Sequence, residues 1–167
     1  MEPMQPPEWA RGSTAGSSAP AAPGADDFAS GVFPSPLGLV DATAIMMKTN
    51  TFAVNIGDAY APPRHVHAFN VILDSPSARE IFESVFRSGT SAGKLYALAA
   101  FSLLDQNRYQ QAAAELGQEL GGVRTIDGCL YDDQPVANLV KKIAEEHLGE
   151  TFRRRRAAAY VHFDGAG

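Results

Sequence analysis

The sequence predicts a mainly α-helical fold: a small irregular bundle of antiparallel helical hairpins, four to five helices in all, with one or two short strands. Three observations point there. Leu95 to Leu104 is an uncharged run without Gly or Pro, set between Thr90-Ser91 and Asp105-Gln106-Asn107. Its apolar residues fall on every face of a 3.6-residue turn, as suits a helix enclosed by other helices. On either side of it, apolar residues recur mostly at spacings of three and four. The periodic segments are also short and closely joined, which makes successive helices antiparallel neighbours.

Residues 1–36 read differently. They hold seven of the eleven prolines and contain neither Leu nor Ile. So little apolar area cannot offset an ordering entropy of ~1–2 kcal/mol per residue, which predicts a disordered N-terminal arm. Trp9 and Phe28 are its candidate anchors. Residues 37–150 form the expected helical domain, and 151–167 a basic C-terminal segment or tail.

Within the domain, residues 39–47 suit a short helix or a strand. Phe52, Val54 and Ile56 alternate with smaller or polar neighbours, a strand pattern ended by Gly57-Asp58. Tyr160 to Phe163 is the one other segment of that kind, so these two are the strands that would pair. Val66, Phe69, Ile72 and Leu73 mark a helix stopped at Asp74. Ser75 then reads as an N-cap with Pro76 in the first turn, Ile81, Phe82, Val85 and Phe86 as the buried stripe, and Gly89 as a left-handed cap. Thr90 or Ser91 caps the central helix. Tyr109, Ala113, Leu116 and Leu120 predict a further helix closed by Gly121-Gly122. Residues 121–134, rich in Gly and Asp, read as a loop. A last helix opens at Pro135 and buries Val136, Leu139, Val140 and Ile143, until Gly149 interrupts it.

The block Thr90-Ser91-Ala92-Gly93-Lys94-Leu95-Tyr96-Ala97-Leu98, with Val123-Arg124-Thr125-Ile126-Asp127-Gly128-Cys129 downstream, resembles a group of uncharacterised bacterial proteins that share such blocks. The resemblance spans roughly residues 50–143. It implies a small helical, HEAT-like domain and carries no activity, so no functional residue transfers with it. No internal repeat of fixed period accompanies it, and an irregular bundle fits better than a solenoid.

Composition narrows the functions. A net charge of −5 and a pI near 5.3 give the whole molecule no electrostatic case for binding nucleic acid or anionic membrane. A single cysteine, Cys129, rules out an intramolecular disulfide. No run approaches the ~18 apolar residues of a membrane span, and the N-terminal sequence lacks a signal-peptide pattern, so a cytoplasmic location is expected.

Candidate chemistry is sparse. His65 and His67 have metal-like spacing on an extended segment, where Cys129 or His147 could complete a zinc site. On a helix they point about 200° apart and cannot share an ion. Cys129, flanked by Leu130 and Tyr131, reads more readily as a buried small apolar residue than as a nucleophile. Asp127, Asp132 and Asp133 lack the spacing of a calcium loop and read as turn formers. Ser91 to Lys94 has Ser88 and Leu95 where a phosphate loop needs Gly and Ser or Thr. Arg153, Arg154, Arg155 and Arg156 could bind phosphates, but acidic residues precede them and they suit a solvated helix end.

The reading that follows is a non-catalytic protein-interaction module of adaptor type. It uses no cofactor or metal, and its partner, another protein, meets a helix groove or the arm through Trp9. The alternative is nucleic-acid or anionic-surface binding through Arg153 to Arg156, and a cysteine-dependent enzyme ranks third.

Overall fold

A computed structural model describes residues 36–55 and 62–161, with side chains as far as Arg155. Trp9, Phe28, Ile56, His162 and Phe163 lie outside the described residues, as does the side chain of Arg156. The element order is α1 (Leu39–Lys48), β1 (Thr51–Asn55), α2 (Arg64–Leu73), α3 (Ala78–Ser88), α4 (Ser91–Leu104), α5 (Gln106–Leu116), β2 (Gly122–Asp127), β3 (Leu130–Pro135), α6 (Val136–Glu145) and α7 (Leu148–Val161). The chain is mainly helical with a small sheet, but it has seven helices among the described residues where four to five were expected. The two additions are α1, which settles residues 39–47 as a helix, and α7.

Helix α4 is the axis of the domain. It packs against all six other helices and against β1 and β2. Leu95 through Phe101 are buried without interruption, as the uncharged run predicts. Thr90 starts the helix, its hydroxyl accepting the Gly93 N–H at 3.1 Å while donating to the Thr49 carbonyl just after α1. A Cβ on Gly93 would stand 2.5 Å from the Met46 carbonyl oxygen. Thr90, Ala92 and Gly93 therefore let α1 and α4 approach closely. Three residues on, Tyr96 is fully buried and its hydroxyl accepts the Ala53 N–H at 2.8 Å, tying α4 to β1. The Thr90–Leu98 block is thus a packing motif, with each conspicuous residue spent on a helix or strand contact.

The sheet runs β1-β2-β3, with β1 parallel to β2 and β2 antiparallel to β3. This corrects two expectations. Residues 121–134 are a hairpin rather than a loop, and Tyr160 and Val161, expected as the partner strand, belong to α7. Asp127 pairs with Leu130 across the two-residue turn Gly128-Cys129, and Gly128 takes φ 61°, the left-handed conformation that such a turn places on glycine. Once the hairpin forms, β1 finds its neighbour in β2, in the register Thr51 to Arg124, Phe52 to Thr125 and Ala53 to Ile126.

Several boundaries also move. Helix α3 starts at Ala78 after a turn in which Ser75 accepts the Ser77 N–H, so Ser75 and Pro76 precede the helix rather than open it. Gly89 is extended (φ −79°, ψ 175°) rather than left-handed. Helix α5 closes at Gly117, which leaves Leu120 beyond it and 99% exposed. Val136, Leu139, Val140 and Ile143 form the buried side of α6 as their spacing predicts.

The break after α6 falls at Glu146-His147, where His147 adopts φ 49°, and not at Gly149. Gly149 sits in the first turn of α7 because a Cβ there would lie 2.4 Å from the Ala99 carbonyl oxygen. That close approach seats Phe152, fully buried, among Phe52, Phe69 and Tyr96, with ring centroids 5.4–5.8 Å away. Buried Asn70 of α2 donates through Nδ2 to the Val66 and Phe152 carbonyls, both at 3.0 Å, and so fixes α7 to α2. No helix among the described residues is long and apolar enough to cross a membrane.

Candidate functional site

An open groove of about 740 Å³ lies between α3, α4 and α5. Its floor is Phe86 and Leu116, both nearly buried, and its walls are charged. Asp105 places the key cation: as N-cap of α5 it accepts the Arg108 N–H at 3.0 Å, which sets Arg108 in the first turn. The Arg108 guanidinium lies over Phe86 and Phe101, 4.8 and 5.2 Å from their centroids. It grips Glu83 with two hydrogen bonds, Nε to Oε2 at 2.9 Å and Nη2 to Oε1 at 3.1 Å. Arg87 donates to the same carboxylate at 3.2 Å, and Arg79 pairs with Asp105 at 2.6 Å. Across the groove Lys94 and Ser91 both meet Glu119, at 3.4 and 3.1 Å.

The electrostatics follow from those contacts. Hydrogen bonding from Arg108 holds the Glu83 carboxyl below its usual 4.5, against the opposing pull of burial. The Arg108 backbone N–H does the same for Asp105, with help from the Arg79 charge. Both groups are ionised at neutral pH and act as acceptors, not proton donors. The cations of the wall are engaged by carboxylates, so the groove is a structural joint between α3, α4 and α5. Ser91 and Lys94 belong to it through Glu119.

The remaining sequence candidates do not converge. His65 and His67 both lie on α2, two residues apart, so helical geometry turns them about 200° from one another. His65 is buried with its ring 5.6 Å from that of Tyr96, and His67 is half-buried. His147 is exposed between α6 and α7. No group of three or more His, Cys, Asp or Glu able to hold a metal occurs among the described residues. Cys129 is exposed, which corrects its reading as a packed apolar residue: it is the second residue of a two-residue turn, where the backbone carries the side chain outward.

Arg153, Arg154 and Arg155 lie on α7, not on an irregular tail. Consecutive helical residues are about 100° apart, so a run of four is spread around most of the helix instead of forming one patch. Arg153 and Arg154 are exposed, and Arg154 donates to Glu150 one turn earlier at 2.8 Å.

What the sequence reading missed is the exposed hairpin. Strand β3 ends the sheet among the described residues, and every residue in it except Gln134 is exposed. Leu130 and Tyr131 stand 73% and 48% exposed. Asp132 and Asp133 follow them, and Asp132 Oδ1 accepts the Asp133 N–H at 2.9 Å. On the protected side, buried Thr125 donates its hydroxyl to the Asp132 carbonyl at 3.0 Å.

No protein family, curated protein or solved structure matches the chain.

The hairpin therefore rests on its own geometry. A signal for it existed in Gly128, set between Val123-Arg124-Thr125-Ile126 and Leu130-Tyr131, since Gly opening a two-residue turn between β-branched and aromatic residues marks a hairpin. The four acidic and glycine residues nearby concealed it by resembling loop composition.

Proposed function

We propose that this chain is a non-catalytic protein-interaction module that meets its partner through the β2–β3 hairpin. One observation carries the reading: Leu130 and Tyr131 are adjacent, largely exposed and on the end strand of the sheet. Aromatic residues are enriched where proteins meet, and exposed large apolar side chains mark candidate contact surfaces. The charged groove is spent on internal ion pairs; Val40 of α1 and Leu120 after α5 are exposed as well, but the hairpin joins its exposed apolar residues to the end strand of the sheet. The end strand adds main-chain groups that a partner's extended segment can join.

Cys129 makes the reading testable, because the chain's one cysteine is exposed in the turn of this hairpin. A maleimide photo-crosslinker attached there should give discrete adducts in extract of the source cells. Leu130→Glu and Tyr131→Glu should abolish them while the far-ultraviolet circular dichroism stays unchanged. A control label on Ser84→Cys, an exposed position of α3, in a Cys129→Ser background should give a different set. Adducts that persist in both Glu variants would sink the hairpin as the contact surface.

A further inference from the structure

The structure assigns this edge a partner of definite chemistry: an extended protein segment in which two adjacent cationic residues adjoin two apolar ones, and not a second copy of this chain. The inference rests on the hairpin being the interaction surface and adds what the surface selects.

The register fixes which groups point outward. Across a two-residue turn the closing pair, Asp127 and Leu130, is hydrogen-bonded, and hydrogen-bonded pairs then alternate along the ladder. The main-chain groups of Tyr131, Asp133 and Pro135 consequently point away from β2. Pro135 has no N–H to offer. The Asp133 N–H is the donor that Asp132 Oδ1 accepts. A strand approaching this edge thus meets a carboxylate over one donor position and a proline at another. Native sheets blunt their end strands with such devices to prevent indiscriminate pairing.

Charge decides which strand can pass. Asp127, Asp132 and Asp133 stand on the hairpin against Arg124 alone, which lies across from Asp133, and none of the three aspartates is in an ion pair. A second copy laid along β3 in parallel register, or antiparallel about Asp132, brings the aspartates of both copies together, and like charges across strands are destabilising. A segment with Lys or Arg at those positions meets them with opposite charge. Its cation draws Asp132 off the Asp133 N–H, and that donor becomes available to the incoming carbonyl. Leu130 and Tyr131, on opposite faces of the strand, then contact apolar residues beside the basic pair. In antiparallel register the partner reads basic, basic, apolar, apolar.

Selection of random decapeptides displayed on phage against the full-length protein tests this without a known partner. Enriched peptides should carry adjacent Lys or Arg next to β-branched or aromatic residues. A synthetic peptide of the enriched sequence should slow amide exchange at Asp133, and its Kd should weaken as salt rises from ~0.05 to ~0.5 M. Asp132→Asn retains an acceptor for the Asp133 N–H while removing the charge, so it separates the two roles of Asp132. Asp132→Asn combined with Asp133→Asn should weaken binding about tenfold or more. Peptides that protect β3 but carry no basic pair, or bind the Asn variants equally well, would overturn the charge inference and leave the hairpin reading standing. Protection elsewhere, or no enriched peptide, would overturn both. A micromolar dimer of the wild-type chain with β3 protected would also overturn the inference.

Discussion

Tyr96 shows how a single side chain can join two parts of this fold that lie far apart in sequence. Its ring fills the space between Phe52, Phe69 and Phe152, and its hydroxyl accepts the N–H of Ala53, 43 residues away. Burial pushes its ionisation far above the usual 10, so it stays neutral wherever the protein is folded. Tyr96→Phe keeps the ring and leaves the Ala53 N–H buried without its acceptor, which should cost ~1–3 kcal/mol in urea unfolding and speed amide exchange at Ala53. Unchanged stability would show that a water or a backbone shift replaces the hydroxyl. That Tyr96 is buried was legible from the uncharged run around it. The hydrogen bond was not, because nothing in the local sequence links positions 53 and 96. Cys129 teaches the reverse: its apolar neighbours suggested burial, but a turn position overrides neighbour composition. Cys129→Ser should accordingly leave the unfolding midpoint unchanged within ~0.5 kcal/mol.

Helices α3, α4 and α5 are joined by charge as well as by apolar contact, and this gives the joint a pH dependence of known sign. Hydrogen bonding from Arg108 lowers the Glu83 carboxyl, so the folded state binds that proton less readily than the unfolded chain does. The resulting stability is fully present above the ordinary carboxylate value of 4.5 and is lost as pH falls through the lowered folded value. Glu83→Gln should therefore destabilise the protein at pH ~7, and its disadvantage should shrink as pH falls below 4.5 towards ~2. Unfolding midpoints of both proteins across that range check it, and parallel curves would show that Glu83 contributes no linked stability. The stripe Phe82, Val85 and Phe86 of α3 was readable from its spacing alone, and so was Asp105 as a terminator of α4. The grip of Arg108 on Glu83 was not, since 25 residues separate them and they meet only when α3 and α5 both pack against α4. Helix α7 was lost for a related reason: Gly149 reads as a breaker by propensity, but here its missing Cβ is what allows α7 to lie on Ala99.

Taken as one body, the molecule was legible in its helical class and in the helix at its centre, because periodicity and burial are local consequences of composition. Its sheet was not, because β1 finds a partner only after the intervening four helices have brought residues 51–55 and 122–127 side by side. The same distinction governs the arginine run, which in the sequence is a block and in the fold is a helix. Four residues at about 100° intervals cannot present one cationic face, and Arg154 is already bound to Glu150. The net charge of −5 adds a repulsive background to any approach of a polyanion. We expect no binding of duplex DNA, single-stranded RNA or anionic vesicles above background at ~0.15 M salt, where exposed charges are screened beyond ~8 Å. Replacing Arg153, Arg154, Arg155 and Arg156 by Gln should then leave every such signal unchanged. Fluorescence anisotropy and vesicle co-sedimentation at ~0.05 and ~0.15 M salt measure both proteins side by side. Micromolar binding by the wild type that falls steeply with salt and vanishes in the Gln variant would show that the arginines converge on a ligand despite their helical spacing. It would put phosphate recognition ahead of the hairpin.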